Sequence, residues 1–233
     1  MFRPMFHLKI KIRLLGLSLN ILRVHPTHRV AIFELGINEK GEMDELVELL
    51  EPTHALITRI AHAHAKGLGT LPEIVVEKRK IFGRLTPKNI GIINGDQDEL
   101  VNHAYQHPIA KFGSKIRNQV QGRKVSLFCN TDGTPSVRFT LKWYGKKSLV
   151  TMSPAHLGQV NNALAAATLA YFLEVPFAAV VAGLEGYKGF ENRFEICKPK
   201  RGSGVIVNDC YNASPESVRS ALVSFDVMKG AQK

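Results

Sequence analysis

Cysteine is scarce and scattered in this chain. Cys129, Cys197 and Cys210 are the three in 233 residues, and no two of them form a CxxC pair. That excludes a disulfide-dense scaffold and a zinc ribbon, and it suits a reducing compartment. Long apolar runs are missing as well. The most apolar stretches, such as Ala163–Ala170, fall far short of the ~20 residues that cross a bilayer, so no membrane span is expected. Acids are absent from the first 33 positions, where Arg3, Lys9, Lys11 and Arg13 fall early. A targeting peptide has that bias. Here, however, Leu8, Ile10, Ile12 and Leu14 alternate with Lys9, Lys11 and Arg13, which is the period of a strand. Residues 7–14 are therefore expected to form an edge strand, with its cations discouraging strand addition.

What is present is ordinary for a soluble globular protein: 45% hydrophobic and 22% charged residues. The net charge of +11 raises nucleic-acid binding as a possibility. Yet the basic residues are dispersed and never form a long block, whereas seven acids crowd between Glu34 and Glu51. No nucleic-acid partner is expected. The charge reads instead as a basic surface that tolerates polyanionic substrates such as nucleotides.

From Arg29 onward strands and helices alternate. Val30–Leu35, Ala55–Ile60 and Asn89–Asn94 read as buried strands. The intervening helices are Glu42–Leu50, with Leu46, Leu49 and Leu50 inward, Pro72–Phe82, and about Asp98–Tyr105. Such alternation predicts an α/β fold with a mainly parallel sheet and helices on both faces. Between about 124 and 152 the pattern shifts to short strands, Val125–Phe128, Ser136–Trp143 and Ser148–Met152, which predict a small antiparallel insertion packed on the main domain. Helices return at Val160–Leu173 and Phe177–Leu184, followed by a strand at Gly204–Asn208 and a helix at Pro215–Phe225.

Three polar places stand where strands end, the position at which open parallel sheets bind ligands. Glu34 closes the first strand and is open to several readings, a metal ligand, a helix cap or a solvated residue. His62 and His64 lie in the loop after the second, a weak metal signal without further spaced ligands. Asp209 opens the polar run Asp209–Ser214 ahead of a helix, whose N-terminus favours anions. An ordinary cap at Ser214 is the other reading.

Taken in series, these segments resemble the Mur ligases, which build the peptide stem of bacterial cell-wall precursors. The likeness is closest to the member that adds D-alanyl-D-alanine to UDP-N-acetylmuramoyl-tripeptide. Glu34-Leu35-Gly36-Ile37-Asn38 with Gly41-Glu42 is similar to its ELGxNxxGE signature, and Ala63-His64 with Gly67-Leu68-Gly69-Thr70 to AHxxxxGS. Glu77-Lys78 matches the reactive-lysine position, and Asn94-Gly95-Asp96 matches NxD. Gln159–Ala166 resembles HNxxNALAA, Asn192–Glu195 resembles GRxE, and Asp209–Ser217 resembles DSYNAxPxS. The resemblance implies a central ATP-handling domain over 15–225, an atypical segment at 1–14, and a linker starting at 226–233.

It also implies roles. Glu34 and His64 would bind Mg2+, and Lys78, once carbamylated, would help hold it, so that Lys78 and His64 count as catalytic. Gln159 and Asn162 would lie near adenine, Arg193 near the phosphates and Asp209 on the ribose, with Asn212 in the same nucleotide-binding set. The implied activity is an ATP-dependent acid–amino-acid ligase in the cytoplasm, working on UDP-MurNAc-peptide and D-Ala-D-Ala through an acyl phosphate.

The departures shape the expectation. The family's GxxGKT loop is not matched, because no GKT or GKS occurs in the sequence, and a TxGNxNN segment is absent too. Arg59, Gly158 and Asn192 stand where the family has Asn, His and Gly. The chain is thus expected to be a fragment without ligase or ATPase activity of its own and only marginally stable. It is read either as a piece completed by a partner chain or as a non-catalytic remnant or nucleotide-binding module without turnover.

Overall fold

The computed structural model describes residues 14–61, 65–197 and 205–228. They fall into two compact units, one comprising residues up to Gly91 with His103–Pro108, the other Ile92–Asn102 and everything from Ile109. Six described strands follow the sheet order β1-β2-β3-β4-β5-β6, namely His54–Ile57, Ile90–Asn94, Ile109–Gly113, Val120–Cys129, Pro135–Trp143 and Lys146–Met152. The α/β class is as expected from the sequence.

In the first unit, helix α1 (Leu14–Ile21) begins where the expected edge strand would end, and residues 7–13 of that expectation lie outside the described residues. Leu17 of α1 is buried. Helix α2 (Glu42–Leu50) buries Met43, Leu46 and Val47, an i, i+3, i+4 set, while Leu49 is 40% exposed. The inward stripe is therefore turned by one residue from the Leu46, Leu49, Leu50 face read from the sequence. Among the described residues the Val30–Leu35 stretch joins no ladder, and Ile32 and Glu34 are exposed. A β-rich sequence becomes a strand only where a neighbouring backbone supplies its hydrogen bonds, and no described strand does so here. A short helix α3 (Ala65–Leu68) precedes α4 (Leu71–Arg79). Thr70 and Glu73 form a capping box at the start of α4, with Pro72 in the first turn. The helix tightens into a 3-10 turn at Lys80–Phe82, and buried Phe82 meets the rings of Tyr105 and His107.

In the second unit the Asp98 helix, α5, stops at Val101 rather than near Tyr105. Asn102 leaves helical geometry after its N–H bonds Asp98 C=O. Pro108 farther on also disfavours a helix at the residue before it. Strands β3 and β4 pair in parallel, and β4–β5 and β5–β6 are antiparallel. The antiparallel segment thus continues the sheet instead of packing on it. Along β5, Val137, Phe139, Leu141 and Trp143 are buried and alternate with exposed Arg138 and Lys142. Helix α6 (Gly158–Phe172) covers the buried face, and its alanines let the helix come close to the sheet. Val160 and Leu164 reach so near Gly122 that an added Cβ would sit 3.1 Å from each. The Trp143 indole N–H donates to Ala167 C=O at 2.8 Å, so burying the ring leaves no orphan donor. Helix α7 (Phe177–Glu185) packs on β6. A separate two-stranded antiparallel sheet, β7 (Glu195–Cys197) with β8 (Ile206–Asn208), leads into helix α8 (Pro215–Met228).

Candidate functional site

The expected metal-side residues belong to the first unit. Its two motif loops are tied together by carboxylates that accept backbone N–H groups. Gly41 adopts φ 93°, a conformation that favours glycine, at the N-cap of α2. Its N–H donates to Glu77 Oε1 at 2.7 Å. Glu77 is only 3% exposed and is paired with Lys80 at 2.8 Å, so the buried carboxylate has both a hydrogen bond and a cation. One turn on, Glu42 Oε2 accepts the N–H groups of Asn38 and Glu39, at 2.6 and 3.1 Å. Lys40 pairs with Glu73 at 2.6 Å, which links this loop to the cap of α4. Glu73 also accepts from the Thr70 amide and hydroxyl, and the Lys40 bond is the largest of the influences that lower its pKa to about 2. Gly67 completes the contact. A Cβ there would lie 2.0 Å from Asn38 O, so only glycine lets the loops approach this closely.

Around these loops, Glu34 is exposed and Lys78 is half-buried on α4. Burial pushes the Lys78 ammonium pKa down, and no described hydrogen bond or ion pair reaches its amine. His62 and His64 lie outside the described residues. Among those described, no group of three or more His, Cys, Asp or Glu side chains converges on a metal position.

The expected nucleotide-side residues belong to the second unit, where two loops are stitched side by side. Asp209 Oδ1 accepts the Phe194 N–H at 3.0 Å, and Asn208 Nδ2 donates to Asn192 Oδ1 at 2.8 Å. The Tyr211 N–H donates to Asn192 C=O at 3.0 Å. Asn192 and Phe194 take positive φ of 58° and 51°, so the loop reverses twice around Arg193. The Arg193 guanidinium stacks over the Tyr211 ring at 4.2 Å and is in no described ion pair. Gln159 is buried, with Oε1 accepting from His156 N–H at 3.1 Å and Nε2 3.5 Å from Tyr187 Oη. It therefore shapes the start of α6. Asn162 and Asn212 are both exposed.

Sequence reasoning missed two residues here. Glu77 entered only as the neighbour of Lys78, and its role shows only once Gly41 is seen beside it. His156 was not singled out at all. The Gly158 N–H reaches His156 Nδ1 and Ser220 Oγ, each at 3.1 Å, and Nδ1 lies 3.1 Å from the same hydroxyl, so the three groups form one cluster. Burial lowers the His156 pKa against the opposing charge of Asp209. A Cβ at Gly158 would lie 2.9 Å from His156 Cε1. The imidazole thus fills the space that a side chain at 158 would need, and the signal in the sequence was a histidine two residues before an unexpected glycine.

With this geometry in view, comparison with known proteins gives a consistent result. The Mur ligase middle domain family matches residues 12–170. The chain is 33% identical over 220 residues to the UDP-N-acetylmuramoyl-tripeptide–D-alanyl-D-alanine ligase of Bacillus subtilis, covering 94% of this chain and 46% of the relative. A crystal structure of MurF from Acinetobacter baumannii superposes with a TM-score of 0.82 at 28% identity, over 91% of this chain and 46% of that one. The MurF ligase of Thermotoga maritima in complex with ADP shares the fold, with a TM-score of 0.78 at 22% identity over 90% and 47% of the two chains. This chain belongs to the Mur ligase family. It spans about half the length of the curated relatives it matches.

Proposed function

We propose that the chain is the nucleotide- and magnesium-handling part of an ATP-dependent amide ligase of peptidoglycan precursor synthesis, one that joins D-Ala-D-Ala to UDP-MurNAc-tripeptide in the cytoplasm. The observation that carries this reading is the pair of stitched loops in the second unit. Among the described residues no carboxylate pairs with the Arg193 guanidinium, and the hydrogen bond to Asp209 is made at Oδ1. A cation for phosphates and a carboxylate oxygen for ribose hydroxyls are the groups that a nucleotide asks for.

In the reaction, a γ-phosphoryl group passes from ATP to a substrate carboxylate and ADP leaves. The amine of D-Ala-D-Ala then attacks the acyl carbon, and phosphate departs as the amide forms. Arg193 would offset phosphate charge and Asp209 would fix the ribose. Glu34, His64 and carbamylated Lys78 would hold Mg2+, which when bound neutralises charge on the phosphate oxygens. Lys78 suits this role because burial favours its neutral amine, the form that adds CO2. Gln159 and Asn162 would lie near adenine, with buried Gln159 also holding the start of α6 through the His156 N–H.

The lack of any GKT or GKS run favours a second reading, nucleotide binding without turnover. Loss of even one preorganised donor to a transition state costs ~3 kcal/mol. Equilibrium dialysis with Mg-ATP tests the shared part of both readings. The account expects saturable binding, weakened at least tenfold by Asp209→Ala and by Arg193→Ala. No binding, or binding indifferent to both substitutions, would refute it. Phosphate release or ligation by the chain then decides between the two readings.

A further inference from the structure

The positive charge of this chain is gathered by the fold in a way that the linear sequence hides. Between Glu99 and Glu174 stands a single acid, Asp132, against nine Lys and Arg. Two of those cations, Lys115 and Arg117, are paired with Asp98. The strand register brings others together. Arg123 lies opposite Thr140, which lies opposite Leu149. Lys142 lies opposite Lys147, and Arg138 opposite Thr151.

Paired residues in antiparallel strands share a face. Arg123, Arg138, Lys142 and Lys147 therefore stand on one side of β4–β6, opposite the side covered by α6. All four are exposed, and none takes part in a described ion pair. Lys124, also exposed, sits at the β-bulge beside them. At the sheet edge Glu185 accepts the Thr151 N–H, and the Arg123 guanidinium donates to Ser114 C=O, whose residue in turn bonds Asp96.

We propose that this open sheet face is a docking surface for an anionic phospholipid bilayer. Its cations are spread over a plane rather than along a groove, which matches headgroup phosphates lying in a plane. Leu149, 57% exposed in the midst of them, gives a bilayer interface an apolar group to take up. A single nucleic-acid strand would call for free rings on which bases stack. The ring this face offers, Phe128, already lies under the Arg138 guanidinium, 4.8 Å from its centroid.

Sedimentation of the full chain with vesicles tests the proposal. Binding to phosphatidylcholine mixed with phosphatidylglycerol is expected at low salt, with little binding to pure phosphatidylcholine, and it should weaken toward about 0.15 M salt as screening shortens. Each cation near such a surface is worth about a fivefold change in partitioning. The double change Lys142→Glu, Lys147→Glu should then lower binding by about 25-fold or more. The equally charged change Lys88→Glu, Lys188→Glu, at exposed positions off this face, should have far less effect. Circular dichroism of each variant confirms folding, and the salt and lipid dependence of the unaltered chain tests the idea without any variant. Equal binding to neutral vesicles, no loss in the 142/147 variant, or tighter binding to a single-stranded oligonucleotide than to anionic vesicles would overturn it.

Discussion

The two units hold their motif loops by different kinds of contact. In the first, carboxylates do the holding: Glu42, Glu73 and Glu77 each accept backbone N–H groups, and glycines at 41 and 67 make room. In the second, the loops around Arg193 are joined by carboxylates and neutral amides together: Asp209 accepts the Phe194 N–H, Glu195 accepts from the Asn192 N–H and from Asn208 Nδ2, and Asn208 also donates to Asn192 Oδ1. The first arrangement fixes backbone positions with few atoms but depends on ionised acids. The second shares the holding between acids and amides, so it depends less on any single ionised group.

The largest expected effect lies in the buried sheet. Phe139 is fully buried, so Phe139→Ala should cost about 3–5 kcal/mol of unfolding free energy, measured by chemical denaturation. A loss under ~1 kcal/mol would mean that this face is not a packed core. Next comes Glu77→Ala, which strands the Gly41 N–H and removes the Lys80 partner. A cost of about 1–3 kcal/mol is expected, partly restored by Glu77→Gln because the amide oxygen still accepts the bond. If Gln is as damaging as Ala, the contact with Gly41 is not what matters. Gly41→Ala should cost roughly 1 kcal/mol through its positive φ, with Gly41→Asn milder, since Asn tolerates that region better.

How much of this was legible in the sequence differs between the units for a physical reason. The antiparallel strands announced themselves as short runs, and along β5 buried residues do alternate with exposed ones because one face of that sheet is covered. Val30–Leu35 read as a strand on composition, yet whether it becomes one depends on a neighbouring backbone that no local pattern encodes. The stop of α5 after Val101 is likewise decided by the backbone turn at Asn102. The candidate site was visible only as motif spacing. Glu34, Lys78, Arg193 and Asp209 were proposed that way, whereas Glu77 and His156 act through partners 36 and 64 positions away, Gly41 and Ser220. Gln159 was placed near adenine by likeness alone, and its bonds to His156 and Tyr187 could not be read from the sequence.

The smallest effect sharpens the comparison by pH. Glu73 has its carboxyl lowered from 4.5 to about 2, chiefly by the Lys40 hydrogen bond. A depressed carboxylate stabilises the fold above its unfolded pKa, and that contribution fades as pH falls from about 4.5 toward 2. Asp96, in the second unit, is also lowered. Burial alone would raise it, but bonds from Ser114, Lys115 and Asn118 prevail. Acid should thus loosen the 38–42 and 67–73 loops of the first unit and the Asp96 turn of the second. Exchange rates of backbone amides followed down the acid range check this. In Glu73→Gln the fall between 4.5 and 2 should shrink at the first unit's loops, and an unchanged profile would show that Glu73 is not the titrating group.

The central claim, that the stitched loops of the second unit receive a nucleotide, is tested most directly by amide hydrogen exchange of the chain with and without Mg-ATP. The account predicts added protection centred on Asn192–Glu195 and on Ile206–Asn212, absent in Asp209→Ala, with β4–β6 unchanged. Protection that appears elsewhere while these two loops exchange as before would contradict it.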